Sequence, residues 1–146
     1  MRQIIYHSEK KKTNMEINIS LKIEREVLEN IFVTALEGGS NYWYEIPDKE
    51  IAKVRKAVPR EEEEALSMAI FKAVFDKGVR VAIHDAENPE DELGILSYDL
   101  IKDRLNEIGS DKHNSKFLVA EMQENGDAET SDAIFQLLTM GEITFH

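Results

Sequence analysis

Glu37-Gly38-Gly39-Ser40-Asn41-Tyr42-Trp43-Tyr44 joins a helix stop, a turn and the only tryptophan of the chain, and its reading decides where the elements on either side end and begin. Two glycines after an apolar helical run can take the positive-φ conformation that ends a helix, and Ser-Asn then turns the backbone by bonding to it locally. Asn41 supplies an amide that both donates and accepts. Trp43 offers a flat face with one donor, and Tyr42 and Tyr44 carry hydroxyls at the ends of apolar rings. That mix occurs in pockets that stack a base or grip a partner loop. The same residues can instead make a structural corner, with Trp43 packed into the core and Tyr42 and Tyr44 on one face; the pattern leaves both open.

Towards the N-terminus, Ile23, Val27 and Ile31 form one helical stripe that Leu28, Ala35 and Leu36 widen, so a helix is expected to run into the two glycines. Before it, Met15-Glu16-Ile17-Asn18-Ile19-Ser20-Leu21 alternates strictly and reads as a strand with Ile17, Ile19 and Leu21 on one face. Residues 1–14, ending in Glu9-Lys10-Lys11-Lys12-Thr13-Asn14, have no core pattern and read as a flexible arm ahead of one domain over residues 15–146.

Towards the C-terminus, Pro47-Asp48 opens a short segment that offers Ile51, Val54 and Val58 to the core and is made basic by Lys49, Lys53, Arg55 and Lys56. Pro59 then opens an expected helix over Arg60 to Lys77. Glu61 to Glu64 suit its first turn, and Leu66, Ile70, Val74, Met68, Phe71 and Phe75 make it the expected central packing helix. Val79 to Ile83 and Leu93 to Leu96 read as a hairpin with an acidic tip. Ser97 can cap a helix carrying Leu100, Ile101, Leu105 and Ile108. A helix over Asn114 to Glu124 follows. The next is capped by Asp127 or Thr130 and closed by Gly141. Ile143 and Phe145 alternate as an edge strand. The expected architecture is α+β, one domain with a small, mainly antiparallel sheet of about four strands packed by about five helices.

With 146 residues and 42% hydrophobic content, the chain can bury one sizeable core. It has no cysteine, which excludes disulfides and thiol nucleophiles and suits a reducing, cytoplasmic setting. No apolar run has the length of a membrane span or the form of a signal peptide, so no membrane association is expected. The net charge of −11 is uneven: 14 acidic and 14 basic residues precede His84, and 15 acidic and 4 basic follow from it. Non-specific nucleic-acid binding needs clustered Lys and Arg, so direct binding to nucleic acid is not expected.

Catalytic patterns are missing from the sequence. His7, His84, His113 and His146 lack ligand spacing, Asp85 to Glu92 lacks the glycine and periodicity of a calcium loop, and there is neither Gly-x-Ser-x-Gly nor a phosphate-binding Gly-x-x-x-x-Gly-Lys. Neither a metal nor a cofactor is expected, and an enzyme is the less favoured class.

The run Val33 to Trp43, the hairpin followed by a capped helix, and the close Asp127-Ala128-Glu129-Thr130-Ser131-Asp132 with Gln136 and Gly141-Glu142-Ile143 resemble a family of small uncharacterised phage and prophage proteins. The resemblance covers residue 15 to the C-terminus and implies a genomic setting without a reaction. Together these readings point to a non-enzymatic accessory protein of a phage or mobile element that acts by binding. It would sequester or inhibit a host defence factor through Asn41, Tyr42, Trp43, Tyr44, Asp127, Thr130 and Gln136. One alternative is a binder or sponge for a nucleotide-like small molecule, with Lys49, Lys53, Arg55 or Lys56 neutralising phosphate. Another is an acidic DNA mimic using Asp99, Asp103 and Glu107. A homo-oligomer is compatible with all three.

Overall fold

Switching from helical period to turn chemistry at Ala35 sets the path of the chain in the computed structural model, which describes residues 14–146. The expected N-terminal arm therefore lies, but for Asn14, outside the described residues. Helix α1 (Arg25–Thr34) continues into a five-residue π turn (Ala35–Gly39). Strand β1 (Tyr44–Glu45), helices α2 (Asp48–Ala57) and α3 (Leu66–Lys77), and strands β2 (Val81–Asp85) and β3 (Glu92–Leu96) follow. Helices α4 (Tyr98–Ser110), α5 (Ser115–Met122) and α6 (Ala128–Met140) complete the chain. The described residues thus form an α+β domain of six α-helices and one three-stranded antiparallel sheet in the order β1-β2-β3.

The sheet is the hairpin expected from Val79 to Leu96 plus a two-residue edge strand. Ala82 faces Ile95 and Ile83 faces Gly94, and a bulge at the Ile83/His84 step brings His84 opposite Glu92. Tyr44 and Glu45 pair with Asp85 and His84, so the aromatic stretch is tied into the sheet, a pairing too short to show as an alternating pattern.

Four expectations need correction. Met15 to Leu21 forms no strand among the described residues. Met15, Ile17, Ile19 and Leu21 are 67–82% exposed, because no other strand lies beside them. The third helix starts at Leu66, not Arg60. Pro59 O accepts from the N–H groups of Glu62 and Glu63, closing a turn. Arg55 donates to the carbonyls of Glu63 and Glu64, taking acceptors that a longer helix would need, so Glu61 to Glu64 do not fill a helical first turn. Residues 48–57, read as a short segment, are a full helix. Ile143 and Phe145 form no strand; a side-chain amide takes the place of a neighbouring strand, as described below.

Helix α6, not α3, is the most enveloped element. Every residue from Ser131 to Thr139 is buried, and the helix packs against α1, α4, α5, β3 and the π turn. Its run Ala133-Ile134-Phe135-Gln136-Leu137-Leu138 is apolar on nearly its whole circumference, which places a helix inside a domain. Phe32 of α1 meets Phe71, Phe75 and Phe135 edge-on at centroid distances of 5.5, 5.5 and 5.8 Å. Gly94 lets β3 approach the last turn of α6 closely: a Cβ there would collide with the Thr139 carbonyl.

Candidate functional site

The π turn exists because the α1 ladder widens at its end, with Ser40 N–H donating to Ala35 O at 2.9 Å. Gly38 has φ 167°, which is extended backbone, and only Gly78 and Gly141 are glycines in the left-handed region among the described residues. The positive-φ stop expected at Gly38-Gly39 is therefore absent. Gly39 serves close approach: a Cβ there would lie 3.1 Å from Thr34 O and 3.2 Å from Ala128 O. The turn can then press against the start of α6.

That approach delivers three side chains to one carboxylate. Asp132, 7% exposed on α6, accepts at Oδ1 from Ser40 Oγ (2.6 Å) and Trp43 Nε1 (2.8 Å). Its Oδ2 accepts from Tyr42 OH (2.6 Å) and Gln136 Nε2 (3.1 Å). A buried carboxylate without a cationic partner is tolerable only when donors surround it, and here four neutral donors do so. Gln136 extends the network to the C-terminal residues. Its Nε2 also donates to Phe145 O, while its Oε1 accepts from the N–H groups of Thr144 and Phe145, using the full capacity of the amide. Gln136 thus stands in for the strand that residues 143–145 lack. Phe145 is thereby stacked on Trp43, centroids 5.2 Å apart and planes 8° apart.

Beside this network lies a groove of about 630 Å³ whose lining includes Gly39, Tyr42, Phe117, Glu129, Ile143 and Phe145. Asp132 and Gln136 also line it, with their polar atoms already engaged. Tyr42 is 48% exposed; desolvation and then the Asp132 carboxylate push its hydroxyl up to about 12. Burial pushes Tyr44, which donates to Leu36 O at 2.8 Å, to about 12 as well.

The structure therefore divides the sequence candidates. Tyr42 and Gln136 line the groove. Trp43 is 2% exposed and belongs to the core, while Asn41 points to solvent outside the groove. Asp127 and Thr130 form a reciprocal capping box on α6, and Thr130 also donates to Glu121; their hydrogen bonds are structural. Lys49, Lys53, Arg55 and Lys56 sit on α2, and none lines the groove. Lys53 pairs with Glu50, and Arg55 holds the 63–64 carbonyls. The phosphate site proposed for a nucleotide is thus not assembled with the aromatic stretch. Asp99, Asp103 and Glu107 are exposed along α4 at one-turn spacing.

The residues that sequence reasoning missed are Ser40 and Asp132 as a bonded pair, and Phe117 and Phe145 as groove walls. Asp132 and Gln136 carried a signal: two polar residues at i, i+4 inside an otherwise apolar helical run share a face and need partners there.

Among the described residues no three His, Asp or Glu side chains converge as metal ligands, and no helix is long and apolar enough to cross a membrane. His84 Nδ1 lies 2.7 Å from Pro89 O, while Asp85 accepts from Glu87 N–H, so these neighbours are not bonded to each other. No family model, curated protein or solved structure shows a significant match to this chain.

Proposed function

We propose that the protein acts by binding, as the phage or mobile-element accessory protein that the sequence resemblance implies, and that the groove beside Asp132 holds a segment of a host defence protein. The observation that carries this reading is the groove's chemistry: aromatic and aliphatic residues make up much of its lining, and the polar atoms of Tyr42, Asp132 and Gln136 in it are bonded to one another. It offers contact area, with Glu129 and His146 as the ionisable lining residues outside that network. A volume of about 630 Å³ falls within the range typical of binding clefts.

Among the described residues no lysine or arginine lines the groove, whereas Glu129 and His146 do. Phosphate would meet no lysine or arginine there, which disfavours a nucleotide, and Glu129 suits an apolar side chain next to a basic group. Two variants on the exposed first turn of α6 test this without touching the core: Ala128→Trp, which fills the groove, and Glu129→Lys, which reverses its charge. The parent is expected to retain a host protein on affinity capture that both variants release at unchanged thermal stability. Equal retention by all three would end the proposal. A nucleotide panel is expected to leave Trp43 fluorescence unchanged, and saturable quenching would favour the small-molecule reading instead.

A further inference from the structure

The described chain holds both halves of an unmade strand pairing. One half is Met15 to Leu21, whose alternate side chains Met15, Ile17, Ile19 and Leu21 are 82, 76, 75 and 67% exposed. The other is β3. It is the outer strand of the sheet, and its outer edge makes no backbone hydrogen bond to any other described segment. Leu93 and Ile95 on it are partly exposed. Four large apolar residues exposed at alternate positions are a liability in water, as is an open strand edge.

The charges are complementary. The loop and strand start from Asp85 to Glu92 carry five carboxylates and no base, whereas Lys22 follows the segment. Antiparallel pairing brings Lys22 to the Glu90-Asp91-Glu92 end of β3. A seven-residue strand spans about 23 Å, enough to cover all five residues of β3.

We infer that Met15 to Leu21 pairs antiparallel with the β3 edge of a second copy of this chain, giving a two-fold dimer by strand exchange. Donor and acceptor lie on the same polypeptide, so two copies satisfy each other and the assembly closes. Each copy's sheet then has four strands, three of its own and one from its partner, and the apolar faces of both arms leave water. The inference is independent of the groove, whose lining includes no residue of Met15 to Leu21 or of β3.

Light scattering on the full chain is expected to give twice the chain mass at micromolar concentration. The variant Ile17→Asp/Ile19→Asp, altered only in the exposed segment, is expected to run as a monomer with the parent's Trp43 emission and cooperative unfolding. Because the chain has no cysteine, Ser20→Cys/Glu92→Cys gives a direct readout: oxidation is expected to produce covalent dimer that reducing agent releases. A monomeric parent overturns the inference, as does a dimer that survives the double aspartate variant. Exclusively intramolecular cross-linking would show that the segment folds onto its own sheet, which overturns it equally.

Discussion

At the scale of single residues, Asp132 decides how the aromatic corner sits. Its four donors come from three places in the chain, Ser40, Tyr42 with Trp43, and Gln136, so losing the carboxylate strands buried N–H and O–H groups. Asp132→Ala is expected to cost about 3 kcal/mol or more, read by urea unfolding on the emission of the single buried tryptophan. Asp132→Asn keeps the shape but presents an amide N–H₂ to donors, and about 2 kcal/mol is expected. An Asn variant as stable as the parent would mean the negative charge is irrelevant. The tyrosines add a pH signature. Both hydroxyls titrate near 12 in the folded protein, desolvation being the first cause in each, against about 10 when unfolded. A raised folded pKa means that the stabilisation is fully present below pH 10 and is lost as pH climbs towards 12. Alkaline unfolding within that window is expected, and Tyr42→Phe with Tyr44→Phe should flatten it; identical alkaline profiles would refute the assignment. Glu50 works at the other end. Burial alone would raise its carboxyl, but the Ala82 N–H and the Lys53 ammonium outweigh burial and hold it below its usual range. Its contribution is therefore present above that range and lost on acidification.

At the scale of elements, the periodic stretches were legible because burial on one face leaves a repeat. The α1 stripe, the hairpin, the capped α6 and the Gly78 and Gly141 stops could all be read from residues alone. What escaped the sequence was set by partners distant in the chain. Arg55 captures the carbonyls before α3, the Gln136 amide replaces a strand beside residues 143–145, and the 15–21 alternation has no neighbour. The aromatic stretch reads equally as a pocket or as a corner with Trp43 in the core; the burial of Trp43 follows from Asp132, about 90 residues away. The turn between α5 and α6 shows the same limit. Asn125-Gly126 suggested where the turn lies, yet the left-handed residue is Glu124, at φ 61°, with Asn125 N–H closing back on Ala120 O at 2.8 Å. A side chain in that conformation is strained where glycine is not. Glu124→Gly is expected to raise stability by about 0.5–1 kcal/mol, a change measurable in the urea midpoint; a lower midpoint would show that the carboxylate has a role the backbone geometry does not reveal.

At the scale of the whole molecule, charge and ion pairing are separated along the chain. The ion pairs within 4 Å among the described residues, Arg25 with Glu29 and Asp76, Lys53 with Glu50, Lys72 with Glu63, and Lys77 with Glu62, all involve residues up to Lys77. From His84 onward, 15 carboxylates face 4 bases, and no described ion pair relieves them. Unrelieved like charge opposes the compact state, and salt screens it over about 8–10 Å near physiological strength. Raising sodium chloride from low to physiological concentration is therefore expected to raise the melting temperature, the opposite of what a fold held by surface ion pairs would show. Asp103→Lys, on the exposed acidic stripe of α4, should reproduce part of that gain at low salt and shrink the remaining salt response. A single surface charge acts at a few tenths of a kcal/mol, so the comparison is best made as a pair of salt titrations. If the parent melts lower as salt is added, the acidic half is held by attractions to cations, and the repulsion account fails.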